Sequence, residues 1–239
     1  MSTTSPATPW VKAGLVALPL YGLMLGFTTL KPQPDQVADP EGWARFVSST
    51  SYLVEHIASN VVGPVIAIFG TLALGAYLAN SRSPRLAMWG TILAVAGHIL
   101  FMVPGTISTF ATPAIGAAYL TGSREVMALE FSPVLPAIIG VALLLAVTGN
   151  TILGLAIWRS GVLPKWAGVI WIAATVIFYV LGALLGMATT GASLPTQPVG
   201  AVLMAISSAW IAWTALHHRP AQDLPNTSIE AQHSRGHRS

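Results

Sequence analysis

Glu55, His56 and Asn60 form the densest polar group in any apolar stretch of the chain, at the start of YLVEHIASNVVGPVIAIFGTLALGAYLA, residues 52–79. A carboxylate and an imidazole within hydrogen-bond reach can pass a proton to and from a bound molecule, and partial burial brings both toward the pH where such exchange is efficient. When the apolar stretches are folded as antiparallel helices, Glu130 comes level with this group. Glu55, His56 and Glu130 are therefore the candidate catalytic residues, with Asn60 beside them as a candidate ligand-binding residue. The same groups serve equally well to hold the polar head of a ligand, and Glu55 has a plainer reading as a carboxylate facing lipid headgroups. One histidine and a few carboxylates do not make a metal site. No HExxH, GxSxG or phosphate-loop motif is present, so neither a metal nor a cofactor is expected.

Three more polar residues lie deep in apolar runs: His98, Asn150 and Tyr179. An ionisable or amide side chain in hydrocarbon needs a protein partner. Helical spacing puts each on a face of small residues, the kind that packs against other helices. His56 and Asn60 continue into Gly63, Ala67 and Gly70. His98 shares a face with Gly90, Thr91, Ala94, Met102 and Gly105. Asn150 stands in a ladder with Ala142, Ala146 and Gly154, and Tyr179 in one with Gly168, Thr175, Gly182 and Gly186. These faces are expected to meet, which makes His98, Asn150 and Tyr179 ligand-binding candidates. The structural alternative for each is an interhelical hydrogen bond worth about 1 kcal/mol. Depth argues against a haem shared by His56 and His98, unless the helix around Pro64 is badly distorted. The two lie 27 and 15 residues from the fold of their hairpin near Ser83, which separates them by ~18 Å along the helix axes.

The elements that must position these residues are membrane spans. Of 239 residues, 54% are hydrophobic and 8% charged, against about 25% charged in a soluble domain. The apolar residues come in runs of roughly 20, enough to cross ~30 Å of hydrocarbon. The reading is an all-α, polytopic bundle of six transmembrane helices at residues 10–30, 52–79, 86–110, 133–158, 166–188 and 199–216. Pro19 and Pro64 lie inside the first two. Residues 42–51 read as a short amphipathic lead-in to the second span, and 111–132 as a connection. In the linker RSGVLPKW, Gly161 suits a left-handed helix cap and Pro164 the first turn of the next helix. Residues 1–9 read as a tail without a cleaved signal, and 217–239 as a disordered tail.

Six crossings place both ends on one side. That side carries Lys12, Arg82, Arg85, Arg159, Lys165, Arg219, Arg235 and Arg238, eight of eleven basic residues. The other carries Asp35, Asp39, Glu41, Glu55, Glu125 and Glu130, six of eight acids. The positive-inside rule assigns both termini to the cytoplasm and the chain to a plasma (inner) membrane. The same bias explains the pI of 9.5 without a nucleic-acid partner. The partners expected are the bilayer and a lipophilic small molecule.

The segments LGLAIWRSGVLPKWAG (153–168), AIFGTLALGAYLA (67–79) and FATPAIGAAYL (110–120) together resemble a group of uncharacterised bacterial multi-pass membrane proteins. The motifs are turn and packing motifs, so the resemblance implies the topology and no activity. The functional expectation is a pocket open to the outer leaflet near Glu55, His56 and Asn60, binding a lipid or lipophilic molecule. An enzyme doing isomerase, cyclase or hydrolase chemistry on such a molecule is the first alternative, and a carrier the second. No internal repeat and no deep acid support a carrier, and no buried lysine is present for a Schiff base.

Overall fold

A computed structural model describes residues 9–129, 131–190 and 194–217. Glu130 and the two expected tails, up to residue 8 and from residue 218, lie outside them. Among the described residues there are seven helices and no strand. They are α1 (Pro9–Thr28), α2 (Pro40–Val47), α3 (Thr50–Leu78), α4 (Pro84–Leu120), α5 (Val134–Arg159), α6 (Lys165–Leu184, running on through Leu185–Thr190) and α7 (Thr196–His217). All but α2 are long and apolar enough to cross a membrane.

The six long helices form a closed ring. Each packs on the long helix before and after it, and α1 closes the circle against α7. Glycines set the spacing at these contacts, because a methyl group added at several of them would meet neighbouring backbone. At Gly97 it would lie 2.6 Å from the Ala146 nitrogen, between α4 and α5, and at Gly22 it would lie 2.7 Å from the Ala205 nitrogen, between α1 and α7. This is small-residue packing between membrane helices, where close approach replaces a hydrophobic driving force.

The two ends of the ring differ. At the end bearing the basic turns, Leu15, Leu74, Leu78, Ile157 and Ile211 are fully buried in one apolar cluster that plugs the centre. The turns there are tied by side chains: Ser83 Oγ donates to the Ala156 carbonyl at 2.9 Å, and Ser160 Oγ accepts the Val162 and Leu163 N–H groups. Gly161 has φ +72°, the left-handed cap the linker was expected to need, whereas Pro164 precedes the first helical residue, Lys165, with extended backbone. Trp10, Trp89, Trp158, Trp166 and Trp213 are exposed around this end, as indoles are at a headgroup layer.

At the acidic end the third long helix departs from expectation. A connection was expected from residue 111, but α4 has 37 residues and continues to Leu120 through Pro104 and Pro113. At 1.5 Å per residue it is ~55 Å long, well beyond the hydrocarbon core. The reason is tertiary. The amphipathic helix α2 lays Trp43, Ala44 and Val47 on this extension, in a cluster with Tyr52, Ile115 and Tyr119. Burying three or four such side chains is worth ~1.5–3 kcal/mol each, which outweighs the ~3 kcal/mol that an interior proline costs. The start of α2 is well specified. Asp39 accepts the Gly42 N–H at 2.9 Å, Pro40 occupies the first turn, and Glu41 pairs with Arg45. Just upstream, Asp35 accepts the Val37 and Ala38 N–H groups at 2.7 and 2.8 Å, which holds its carboxyl below the usual carboxylate range.

Candidate functional site

Above the apolar plug the ring is hollow. A chamber of about 100 Å³ runs from Thr29, just past the end of α1, and Gln197, in the first turn of α7, inward to His98. Its polar lining comes from Tyr21, Thr29, Ser59, Asn60, His98, Tyr179 and Gln197, and its apolar walls include Leu25, Phe101 and Phe178. A second, smaller space of about 10 Å³ shares Tyr21, His98, Phe178 and Tyr179 with the chamber and reaches further toward the plug, to Thr71, Asn150, Trp171 and Ser208. Every spanning helix contributes to this lining. None of the residues lining either space is Asp, Glu, Lys or Arg.

Two local widenings of the helices shape the chamber. In α3 the turn over Ile57–Val62 is π-type, with the Gly63 N–H bonded to the Ala58 carbonyl five residues back. Pro64 supplies the cause: it has no N–H, and its ring clashes with the carbonyl four residues earlier, that of Asn60. The wider turn relieves that clash. In α6 the π-type stretch is Val176–Leu184, with the Leu185 N–H bonded to the Val180 carbonyl. There the Gly182 carbonyl accepts the Leu194 N–H at 2.9 Å, across the turn into α7. Such widenings occur often at functional sites, and here both carry lining residues: Ser59 and Asn60 on α3, Phe178 and Tyr179 on α6.

The four ligand-binding candidates, Asn60, His98, Asn150 and Tyr179, all line these two spaces. His98 is 5% exposed and meets the edge of the Tyr21 ring at 5.5 Å between centroids. Its ring makes no hydrogen bond among the described residues. Asn150 donates to the Ala146 carbonyl at 2.9 Å, which leaves its amide oxygen to accept. Tyr179 packs edge-on to Phe178 and Phe101, and its hydroxyl interacts with that of Tyr21. Asn60 packs on Gly105 of α4, where a methyl group would stand 3.0 Å from its Cβ.

The catalytic candidates stand elsewhere. Glu55 is buried but turned toward Lys31, with Nζ to Oε1 at 2.6 Å. His56 is stacked on Tyr52 at 3.6 Å, and its Nδ1 bonds the Tyr52 carbonyl at 2.9 Å. Glu55 and His56 are thus each engaged with another residue, and neither lines the chamber. Glu130, the third member, lies outside the described residues. The Lys31–Glu55 pair sits one turn beyond Thr29 and Ser59 and joins the end of α1 to the start of α3 at the rim. No group of three His, Asp or Glu side chains that could hold a metal occurs among the described residues.

Sequence reasoning overlooked Tyr21, Trp171, Gln197 and Ser208. For Ser208 a signal existed: the Ser207–Ser208 pair interrupts an otherwise apolar span. Ser207 Oγ donates across to the Ala167 carbonyl at 2.7 Å, while Ser208 Oγ bonds Met204 of its own helix at 2.6 Å. For Trp171 a signal also existed, since it falls between Gly168 and Thr175 on the face already read as inward; for Tyr21 none did, because an aromatic in an apolar run reads the same whether it faces lipid or a cavity.

Comparison of the chain with protein-family models, with curated proteins and with solved structures found no match.

Proposed function

We propose that this integral membrane protein binds an uncharged lipophilic molecule whose polar end enters the chamber between its helices. The observation that carries this reading is the character of the lining. Hydroxyl, amide and imidazole groups converge from all six spans, backed by aromatic rings and without one charged side chain. Such a site satisfies a neutral hydrogen-bonding group and rejects an ion, which would be stranded without a counter-charge. A volume of about 100 Å³ suits a ring or a short polar terminus, since a dry cavity of about 150 Å³ accepts benzene. The apolar body of the molecule extends toward the acidic end, the end where the ring is not plugged. We further place that end outside the cell and both termini in the cytoplasm of a plasma membrane, on the distribution of basic residues.

The test is mass spectrometry of molecules retained through gentle detergent purification. The expected result is one neutral lipophilic species, retained at least several-fold less by Asn60→Ala and Tyr179→Phe. Recovery of only bulk phospholipid, in the same proportions from the wild type and both variants, would overturn the reading. A carrier is the second reading, favoured by a ring hollow at one end and plugged at the other. Uptake into proteoliposomes would decide for it. The acid–base enzyme reading draws no support from the chamber, whose lining includes neither Glu55, paired with Lys31, nor His56, bonded to Tyr52.

A further inference from the structure

Trp171 is 2% exposed, and its indole Nε1–H has no hydrogen-bond partner among the described residues. An N–H buried in this way is destabilising if nothing accepts it, and an indole N–H can only donate. Trp171 lines the small inner space, which at about 10 Å³ is near the least volume that holds one water molecule. Around that point stand further groups that can bond the same guest. The Asn150 Nδ2 is already committed to Ala146 and the Ser208 hydroxyl to Met204, while the His98 ring and the Thr71 hydroxyl are bonded to no described residue. No Asp, Glu, Lys or Arg lines the space to favour an ion.

We propose that the floor of the chamber is a subsite for a single uncharged oxygen acceptor, held on the Trp171 indole N–H. The oxygen is the terminal carbonyl or hydroxyl of the chamber's ligand, or a water molecule in its place. The first source rests on the ligand-binding reading of the chamber; the second does not. The space is near the least that holds one water-sized group, and its free donor rewards oxygen and not carbon. The ligand class is therefore narrowed to lipophilic alcohols and carbonyl compounds that enter oxygen first.

The test uses full-length protein carrying 15N-indole tryptophan in detergent micelles, with 1-decanol and decane as matched probes. The Trp171 resonance is the one lost in Trp171→Phe. If that variant does not fold, it is the resonance that survives replacement of each of the other tryptophans by Phe in turn. The expected result is a downfield, hydrogen-bonded indole proton that moves on adding decanol and not on adding decane. A proton that exchanges magnetisation with water and ignores decanol supports the subsite with water as its occupant, and counts against a ligand oxygen there. An upfield, unbonded indole proton that responds to neither overturns the subsite, even if mass spectrometry finds a ligand in the chamber.

Discussion

At the scale of single residues, the rim ion pair shows how burial decides the consequence of a charge. The Lys31 side chain is 55% exposed and that of Glu55 only 9%. Removing either partner deletes the same 2.6 Å contact, but what remains differs. Without Lys31 a buried carboxylate is left unpaired, and breaking a buried pair in this direction costs up to several kcal/mol. Without Glu55 a lysine is left that reaches water. Lys31→Ala is therefore expected to lower stability by about 1–3 kcal/mol, the upper end of the range being discounted for the exposure of the lysine. Glu55→Gln is expected to change it by about 1 kcal/mol or less. Thermal unfolding of the two variants in one detergent measures the asymmetry, and equal shifts would contradict it. The identity of Glu55 as a polar residue at a helix start was legible in the sequence. Its partner was not, because Lys31 lies 24 residues away across a proline-rich loop whose path no periodicity encodes.

At the scale of elements, proline did two opposite things. Pro64 widened a turn of α3 and turned Asn60 and Ser59 to the chamber, whereas Pro113 failed to end α4. What separates them is the covering of the helix surface around each. The extension of α4 survives because α2 buries its apolar face, with Trp43 4% exposed at the centre of the contact. Trp43→Ala is expected to remove about 3–5 kcal/mol of packing, and the loss should be local. Hydrogen exchange across residues 111–120 should rise steeply while exchange across 90–103 stays as it is. Equal acceleration in both windows would mean that α2 supports the whole bundle and not only the extension. A reading by hydrophobic run and breaker ends this helix near Phe110, since the run weakens there and the rescuing surface is more than sixty residues away in sequence.

At the scale of the molecule, six crossings and a lopsided charge distribution make a statement about direction. The turns that carry Arg82, Arg85, Arg159 and Lys165 lie at the plugged end, beside the exposed tryptophans. The hollow end is the one with the acidic loops. A fluorescent reporter fused after Ser239 should be active, and an enzyme active only after export should be silent at the same position; the reverse pattern would invert the orientation and open the chamber to the cytoplasm. Either way both ends must agree, because an even number of spans returns the chain to the side it left.

Composition and run length alone established the all-α bundle and its six spans, because hydrocarbon leaves a chain only helices or closed barrels to satisfy its backbone, and apolar runs of about 20 residues are helix length. The small residues flanking His98, Asn150 and Tyr179 also made their inward faces legible, since a narrow stripe of glycine and alanine has value only against another helix. What tertiary structure alone decided was the closing of the ring by α1 and α7, the engagement of Glu55 with Lys31, and the cavity that joins residues from all six helices. Each depends on contacts between segments far apart in the chain, where the energy lies in the fit of two surfaces and not in the pattern along either one.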